Sequence, residues 1–242
     1  MDLGRMEIWQ AVTTIDTDPI WLSLKLATLT TLVLLAISTP MAWWLAHSQR
    51  NTKSLVTALA TLPLVLPPSV LGFYLLLLLG AQGPLAPLLN SFGVHSLAFT
   101  FPGLVIASVL YSFPFALQPI QNAFESIGKR PMEVAATLGA SPLDRFFSVA
   151  LPQAKPGLLT AAVLSFAHTI GEFGVVLMIG GNIPGETKVL SVAIYDHVEA
   201  IEYQQAHVLS ALMIVFSMAV LFALYFLNHQ GMPLAGQSRR HD

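Results

Sequence analysis

Between the long apolar segments of this chain lies EVAATLGASPLDRFFSVALP, residues 133–152, which carries helix start and stop signals of its own. Pro131 suits the first turn of a helix, where no backbone donor is needed, and Gly139 suits the left-handed residue that ends one. Ser141 is a typical N-cap, followed by Pro142 at the first helical position and by Asp144, which would complete a capping box. The stretch therefore predicts two short helices.

The surface of these two helices is small and apolar. Ala135, Ala136 and Gly139 have little or no side chain, so another protein could approach the backbone closely. Three larger apolar side chains are expected to anchor the second helix to the rest of the chain: Phe146, Phe147 and Val149.

Composition places the rest of the chain in a bilayer. Of its 242 residues 55% are hydrophobic and only 10% are charged, which is too apolar for an ordinary soluble domain. A membrane-spanning helix needs about 20 mostly apolar residues. Five stretches qualify: residues 20–46, 55–80, 99–123, 158–179 and 206–227. The predicted fold is all-α and polytopic, with five spans, or six if the short apolar piece 83–94 also crosses instead of lying at the interface.

The domain organisation follows from these spans. Residues 1–19 form an N-terminal segment at the outer interface, 20–228 form one transmembrane domain that contains the loop 129–155, and 229–242 form a tail. The first span is too long for a signal-peptide core, so it is expected to stay in the mature protein. The absence of cysteine excludes disulfides and thiolate metal sites, and no metal site is predicted. A net charge of −2 gives no case for nucleic-acid binding.

Lys and Arg residues indicate the orientation. If the loop is cytoplasmic, five crossings place eight of them inside and three outside. The inner set is Arg50, Lys53, Lys129, Arg130, Arg145, Lys155, Arg239 and Arg240, and the outer set is Arg5, Lys25 and Lys188. Because short cytoplasmic loops carry an excess of Lys and Arg, the N-terminus is expected in the periplasm and the C-terminus in the cytoplasm.

Prolines are expected to interrupt and bend two spans. Pro63, Pro67 and Pro68 lie in the second, and Pro114 and Pro119 in the third. Each removes a helical donor, and free backbone carbonyls inside a bilayer need cover from protein or from a water-filled cavity. These spans are therefore candidates for lining a pathway, although kinks stabilised by packing alone remain the alternative.

Glu172 is an acidic residue well inside an apolar run. A central carboxylate costs about 3 kcal/mol on insertion scales, so Glu172 is expected to face the bundle interior, either neutral or with a partner. His168, one turn earlier, is the candidate partner. Two interpretations stay open, a proton relay and a packing or gate-forming carboxylate capped by hydroxyls or backbone groups. Gly171 and Gly174 would permit close helix approach or a bend.

The outer connection after this span is GGNIPGET, residues 180–187, followed by SVAIYDHVE, residues 191–199. Its Gly, Asn and Pro content predicts a structured turn, with Asn182 as a candidate pathway residue, and then an amphipathic helix over 191–203. That region is well placed to meet a protein that delivers a substrate.

The spacing of residues 133–152 resembles the EAA loop of ABC-importer permeases, which has Glu-Ala-Ala, three residues, Gly, nine residues, Ile, any residue and Leu-Pro. Here the matching residues are Glu133-Val134-Ala135, Gly139, Val149 and Leu151-Pro152, with Val134 and Val149 as apolar departures. This resemblance implies a type I importer permease fold and a loop that docks on a separate ATPase. The implied coupling residues are Glu133, Ala135, Ala136, Gly139, Leu151 and Pro152.

Further segments are similar to the molybdate branch of this family: LPLVLPPSVLGFYLLLLLG at 62–80, GEFG at 171–174, GGNIPGET at 180–187 and SVAIYDHVE at 191–199. Sulfate permeases share GEFG and the loop, and tungstate is chemically too close to molybdate to separate. The resemblance implies a non-catalytic pore subunit in the bacterial inner membrane. It also implies a homodimer of this subunit, docked on two ATP-binding subunits and supplied by a periplasmic molybdate-binding protein. Glu172, Gly171, Gly174 and Asn182 are the candidate pathway or gate residues.

No phosphate-binding loop accompanies this pattern. The pair Gly128-Lys129 has Ala123 where the first Gly of a P-loop would stand and Arg130 where its hydroxyl residue would stand. No cofactor is therefore expected in this chain, and ATP and Mg would bind to the partner. The alternative from another class is a proton-coupled secondary transporter that uses Glu172 and His168, but the inverted repeats typical of such carriers are not visible.

Overall fold

The computed structural model describes residues 16–49 and 52–230, and within these ranges the chain forms helices and no strands. Twelve helices follow one another along the described chain. They are α1 Asp18–His47, α2 Thr52–Thr61, α3 Pro68–Leu79, α4 Ala86–Ser91, α5 Phe101–Ile127, α6 Arg130–Thr137, α7 Pro142–Arg145, α8 Leu151–Gln153, α9 Lys155–Gly171, α10 Gly174–Gly180, α11 Leu190–Glu199 and α12 Tyr203–Gln230. Residues 1–15 of the predicted N-terminal segment and the tail after residue 230 lie outside the described part.

Three helices, α1, α5 and α12, are individually long and apolar enough to cross a membrane. Two further passes are bent pairs. The axes of α2 with its following 3₁₀ turn and of α3 differ by 107°, and those of α9 and α10 by 64°. The alternative to a crossing would be a loop that returns to the side from which it entered.

Contacts at the two ends of α5 show that the first pair crosses. At the C-terminal end of α5, Lys53 at the start of α2 lies 3.2 Å from the carboxylate of Glu125. Close to the other end of α5, the backbone N–H of Leu97 donates to the carbonyl of Leu79, the last residue of α3, at 3.0 Å. The α2–α3 pair therefore runs the full length of the bundle.

The second bent pair crosses in the same way. Gly157 at the start of α9 is packed so tightly on α5 that an added Cβ would lie 2.4 Å from the Cβ of Ala123. At the opposite end, the N–H of Phe99 donates to the carbonyl of Ile179 in α10 at 2.7 Å. Both bent pairs thus run the length of the bundle, so the described chain has up to five candidate passes, in agreement with the five predicted spans. The apolar piece 83–94 forms only the short helix α4 in a connection.

Prolines break the second pass but not the third. Pro63 lies in the 3₁₀ turn Leu62–Leu64, and Pro68 opens α3. By contrast, α5 is one continuous helix that contains Pro114 and Pro119, so the predicted interruption there was wrong. Neighbouring helices and local adjustments re-satisfy freed backbone groups in membrane helices, and α5 packs between α1 and α9 along its length.

The buried core contains two large apolar clusters with a polar layer between them, and a small third cluster that joins α11 to α12. The cluster near α6 and α7 includes Leu34, Leu45, Leu117, Ile120 and Phe124. The cluster at the far end includes Leu26, Leu104, Val175, Val176 and Ile179. Between them, α1, α5, α9 and the break before α10 contribute buried polar side chains, which we call the polar layer: Thr30, Thr31, Ser108, Ser112, Ser165, Thr169 and Glu172.

Candidate functional site

The two helices predicted in residues 133–152 are present as α6 and α7. Helix α6 ends in a Schellman motif, in which the N–H of Gly139 donates to the carbonyl of Ala136 and the N–H of Ala140 to that of Ala135, both at 3.0 Å. Gly139 has φ +84°, and an added Cβ there would meet no atom within 4 Å. A side chain at this position would therefore cost backbone strain rather than a clash.

Helix α7 begins as predicted but continues differently. Ser141 Oγ accepts from the N–H of Asp144 at 3.2 Å, which is the expected N-cap. The Asp144 carboxylate accepts from Ser148 Oγ at 2.8 Å, so the second half of the capping box is not formed. After Arg145 the chain continues as a π-helical turn, Phe146–Ala150, and then as α8. Leu151 and Pro152 therefore lie within a continuing helical run and do not end it.

Phe146 anchors this loop to the bundle. Its ring centroid lies 5.2 Å from that of Trp43 in α1 in an edge-to-face arrangement. Trp43 in turn lies 5.1 Å from Phe124 in α5. Val149 also packs against the neighbouring buried cluster, as predicted. Phe147 does not, because its side chain is 59% exposed, so its predicted anchoring role was wrong.

The exposed side of the loop carries an apolar surface, which we call the loop face. Its members are Val134, Leu138, Leu143 and Phe147, which are 57%, 82%, 72% and 59% exposed. Ala136 and Glu133 are exposed beside them, Ala135 is half-buried, and Leu151 packs against the bundle while Pro152 is exposed. Exposed apolar side chains on consecutive short helices are typical of a protein-binding surface.

Glu172 faces the interior, as predicted. The residue is 3% exposed and sits at the break between α9 and α10. Its Oε2 accepts from Ser108 Oγ at 2.6 Å and its Oε1 from Ser112 Oγ at 2.5 Å. The carboxylate is thus capped by hydroxyls from α5, which is the arrangement expected for a packing or gate-forming group.

His168 lies beside this carboxylate on the rim of the polar layer. Its Nδ1 is 3.4 Å from Glu172 Oε1 and 2.8 Å from Ser112 Oγ. The ring stacks on Phe115 with a centroid distance of 4.0 Å. The predicted pairing of His168 with Glu172 is therefore present, with Ser112 contacting both.

At Glu172 and Phe173 the helix axis changes direction, and an open cavity lies beside this break. The cavity measures about 520 Å³ and is lined by residues of α3, α5 and α9, including Ser69, Tyr111 and His168. Gly171 is exposed at its edge, while a Cβ on Gly174 would lie 3.0 Å from the Cβ of Pro68. Gly174 therefore lets α10 pass close to the start of α3, as the sequence anticipated.

Asn182 lies in the predicted turn and apart from this cluster. Its side-chain amide donates to both carboxylate oxygens of Asp196 in α11 at 2.7 Å. Lys188 Nζ lies 2.6 Å from the same carboxylate. Helix α11 ends at Glu199, four residues earlier than the predicted helix, and the hydrogen bond from Tyr195 to Glu199 raises the pKa of that phenol. Asn182 thus fixes the outer connection instead of meeting Glu172.

Sequence reasoning missed the hydroxyl partners of Glu172. Ser108, Ser112 and Thr169 are buried, and Ser112 Oγ also lies 3.2 Å from Thr169 Oγ1. The available signal was the four-residue spacing of Ser108 and Ser112, which places two small polar side chains on one face of an apolar helix.

Comparison with known proteins adds a family match. A family model described as "Binding-protein-dependent transport system inner membrane component" matches residues 10–230. A molybdenum transport system permease protein from Azotobacter vinelandii is 59% identical over 210 residues, which cover 87% of this chain and 93% of that protein. One from Escherichia coli K12 is 37% identical, covering 76% and 82% of the two chains. A sulfate transport system permease protein from Salmonella typhimurium is 33% identical, covering 76% and 66%.

Two solved structures resemble the whole fold. A bacterial ABC transporter involved in the import of the acidic polysaccharide alginate matches with a TM-score of 0.75 at 16% identity, over 93% of this chain and 83% of that one. An inward-facing methionine ABC transporter matches with a TM-score of 0.66 at 17% identity, over 96% and 100%. At these identities the likeness concerns the fold.

Proposed function

Because the chain belongs to the binding-protein-dependent transport system inner membrane component family, we propose that it is the permease subunit of an ATP-driven importer for molybdate. Its fold is that of the type I ABC importer permeases. The proposed substrate is supported by the 59% identity to a molybdenum transport permease, compared with 33% to a sulfate permease. Tungstate, as the chemically nearest oxyanion, is the alternative cargo.

The loop face supports the proposed partner. Four exposed apolar side chains on α6, α7 and the π-helical turn would dock into a separate ATPase subunit, which binds ATP and Mg. Ala136 and Gly139 let the partner approach the backbone closely. Ala135, which is half-buried, adds only a methyl group to the opposite side of α6. Glu133, exposed in the first turn of α6, has a favourable position relative to the helix dipole and is free to make a polar contact. Leu151 ties the far end of the loop to the bundle, next to Pro152.

The complete assembly contains a second copy of this chain, two ATPase subunits and a periplasmic binding protein. In the inner membrane, the loop end of the bundle would face the cytoplasm, since five described basic residues lie at that end: Lys53, Lys129, Arg130, Arg145 and Lys155. The N-terminus is then periplasmic and the C-terminus cytoplasmic. Asn182 and α11 belong to the outer surface, where the binding protein docks.

The polar layer acts as the gate in this scheme. Glu172 and its hydroxyl partners join α5 to the break between α9 and α10, with Gly171 and Gly174 on either side of the break. A movement of α9 against α5 would disturb these hydrogen bonds and so open or close the cavity beside His168.

Reconstitution tests this function directly. The chain is co-expressed with its ATPase and purified in detergent, then placed in proteoliposomes with the binding protein on the outer side. We expect ATP hydrolysis and oxyanion uptake to rise with molybdate-loaded binding protein and to rise much less with sulfate. Equal stimulation by sulfate would contradict the assignment of molybdate as the specific cargo. Uptake without the ATPase would contradict the importer mechanism.

A further inference from the structure

One face of α5 carries polar side chains where a membrane-embedded helix would be apolar. Gln118, Asn122 and Ser126 follow one another at four-residue spacing, and all three are exposed. Large exposed side chains on the middle of α1 and α12, such as Leu32 and Val215, are apolar, as contact with lipid requires. A carboxamide in hydrocarbon without a partner is costly, so this face of α5 must meet water or a polar ligand.

The face forms one wall of a groove of about 540 Å³ between α5 and α9. Gln153 and Thr160 lie on the opposite wall, and no charged side chain lines the groove within the described chain. The floor depends on Gly157, where a Cβ would lie 2.7 Å from the carbonyl oxygen of Pro119. The groove is therefore polar and neutral.

The polar side chains of this groove differ in whether they hydrogen-bond within the described part of the chain. Ser126 Oγ, Thr160 Oγ1 and Gln153 Nε2 donate to the backbone carbonyls of Ala123, Pro156 and Val149. The carboxamides of Gln118 and Asn122 have no hydrogen-bond partner among the residues that the structure describes. Each offers two N–H donors on the same face of α5, one helical turn apart.

The groove starts where the polar layer ends. Phe115, which lines its upper part, stacks on His168, and His168 lines the cavity beside Glu172. Gln118 is one turn of α5 closer to the loop than that stack. The two cavities therefore follow each other along α5 and α9, on the side of the gate that leads to the loop.

We propose that Gln118 and Asn122 form the contact site for the tetrahedral oxyanion after it has passed the gate, an inference that rests on the proposed function. Neutral N–H donors suit a site of passage, because they replace part of the hydration shell of a dianion but hold it less strongly than charged donors do. An arginine pair in the same place would bind the anion bidentately and slow its release.

Cysteine accessibility tests the location of the site. The chain contains no cysteine, so Gln118→Cys and Asn122→Cys each introduce a unique thiol. In the assembled transporter, we expect a charged thiosulfonate reagent to label both, and molybdate with ATP to slow the labelling. Leu32→Cys, 60% exposed on the apolar face of α1, is the matched control and should stay unlabelled. Protection of both groove thiols in every state, or a disulfide between two copies at residue 122, would overturn the proposal.

Transport kinetics test the chemistry. In the proteoliposome assay, Gln118→Leu with Asn122→Leu should raise the KM for the loaded binding protein or lower the uptake per ATP, by roughly ten-fold in total. Gln121→Leu is the control, because its amide bonds to Glu125 outside the groove. If wild-type protein transports molybdate and the double variant matches Gln121→Leu, the contact site is wrong while the proposed function stands. If wild-type protein transports no oxyanion, the function itself fails.

Discussion

Ser112 on α5 donates a 2.5 Å hydrogen bond to Oε1 of Glu172, sixty residues later in the chain. The same hydroxyl lies 2.8 Å from Nδ1 of His168, so a single serine contacts both Glu172 and the histidine on the rim of the polar layer. This bond joins α5 to the point at which the helical path of α9 is broken. It therefore couples the side chains of the layer to the bend in the backbone.

Replacing Ser112 by alanine should destabilise the protein. The change leaves one oxygen of a buried carboxylate with fewer donors, which costs about 1–2 kcal/mol. We expect a lower midpoint of thermal unfolding in detergent. Ser91→Ala, which removes an exposed hydroxyl on α4, is the control and should change stability by about 0.5 kcal/mol or less. Equal midpoints for the two variants would show that the Ser112 bond contributes nothing net.

The variant Glu172→Gln separates a gate from a proton relay. Its amide keeps one acceptor oxygen for Ser108 or Ser112, so we expect uptake within about five-fold of wild type, equivalent to about 1 kcal/mol. The dependence of uptake on pH should stay the same, since no proton is transferred at this residue. A large loss together with a shifted pH profile would instead support protonation of Glu172 and the proton-coupled alternative.

Substitution of Gly139 should impair coupling without preventing insertion. With φ at +84°, an alanine costs about 1–2 kcal/mol of backbone strain, although its Cβ meets no neighbour. Gly139→Asp adds a charge beside the loop face, and we expect it to uncouple ATP hydrolysis from uptake. Gly139→Asn is the control, because asparagine tolerates the left-handed region. Normal molybdate uptake by Gly139→Asp would rule out this role for the loop.

Phe146 and Phe147, neighbours in the π-helical turn, should differ in what their removal affects. Phe146→Ala removes a ring that packs on Trp43, and we expect a loss of about 3 kcal/mol of unfolding free energy. Phe147→Ala removes a ring that is 59% exposed, so stability should change little while affinity for the ATPase falls. Thermal unfolding and co-purification measure the two effects. Similar stability losses in both variants would contradict the assigned orientations.

Local signals in the sequence were sufficient to predict the apolar passes and the residues that cap the helices of the loop. The five apolar stretches are the five passes, and Gly139 and Ser141 have the geometry that their residue types predict. Such signals work because helix length and capping depend on residues within one or two turns. The inward position of Glu172 also followed, since the cost of exposing a carboxylate to lipid depends on little else.

What the sequence could not provide depends on neighbours far along the chain. The contacts of Glu172 with Ser108 and Ser112 span 64 and 60 residues, and no local pattern specifies them. Continuity of α5 through Pro114 and Pro119 likewise depends on packing against α1 and α9. Phe147 was assigned to the wrong side because consecutive helical residues point about 100° apart, so Phe146 and Phe147 do not both face the bundle.

The two ends of the loop differ mechanically. On the α5 side, Gly128 and Gly139 both have positive φ, and an added Cβ at either would meet no atom within 4 Å. On the α9 side, the carbonyl of Ala150 accepts from Ala154 N–H and the carbonyl of Ala154 accepts from Leu158 N–H, so helical hydrogen bonding passes from α8 into α9. We therefore expect a movement of the loop face to reach α9 more directly than α5. Helix α9 carries His168 and ends at the break before Glu172. It is thus the helix through which movement of the loop would reach these two residues.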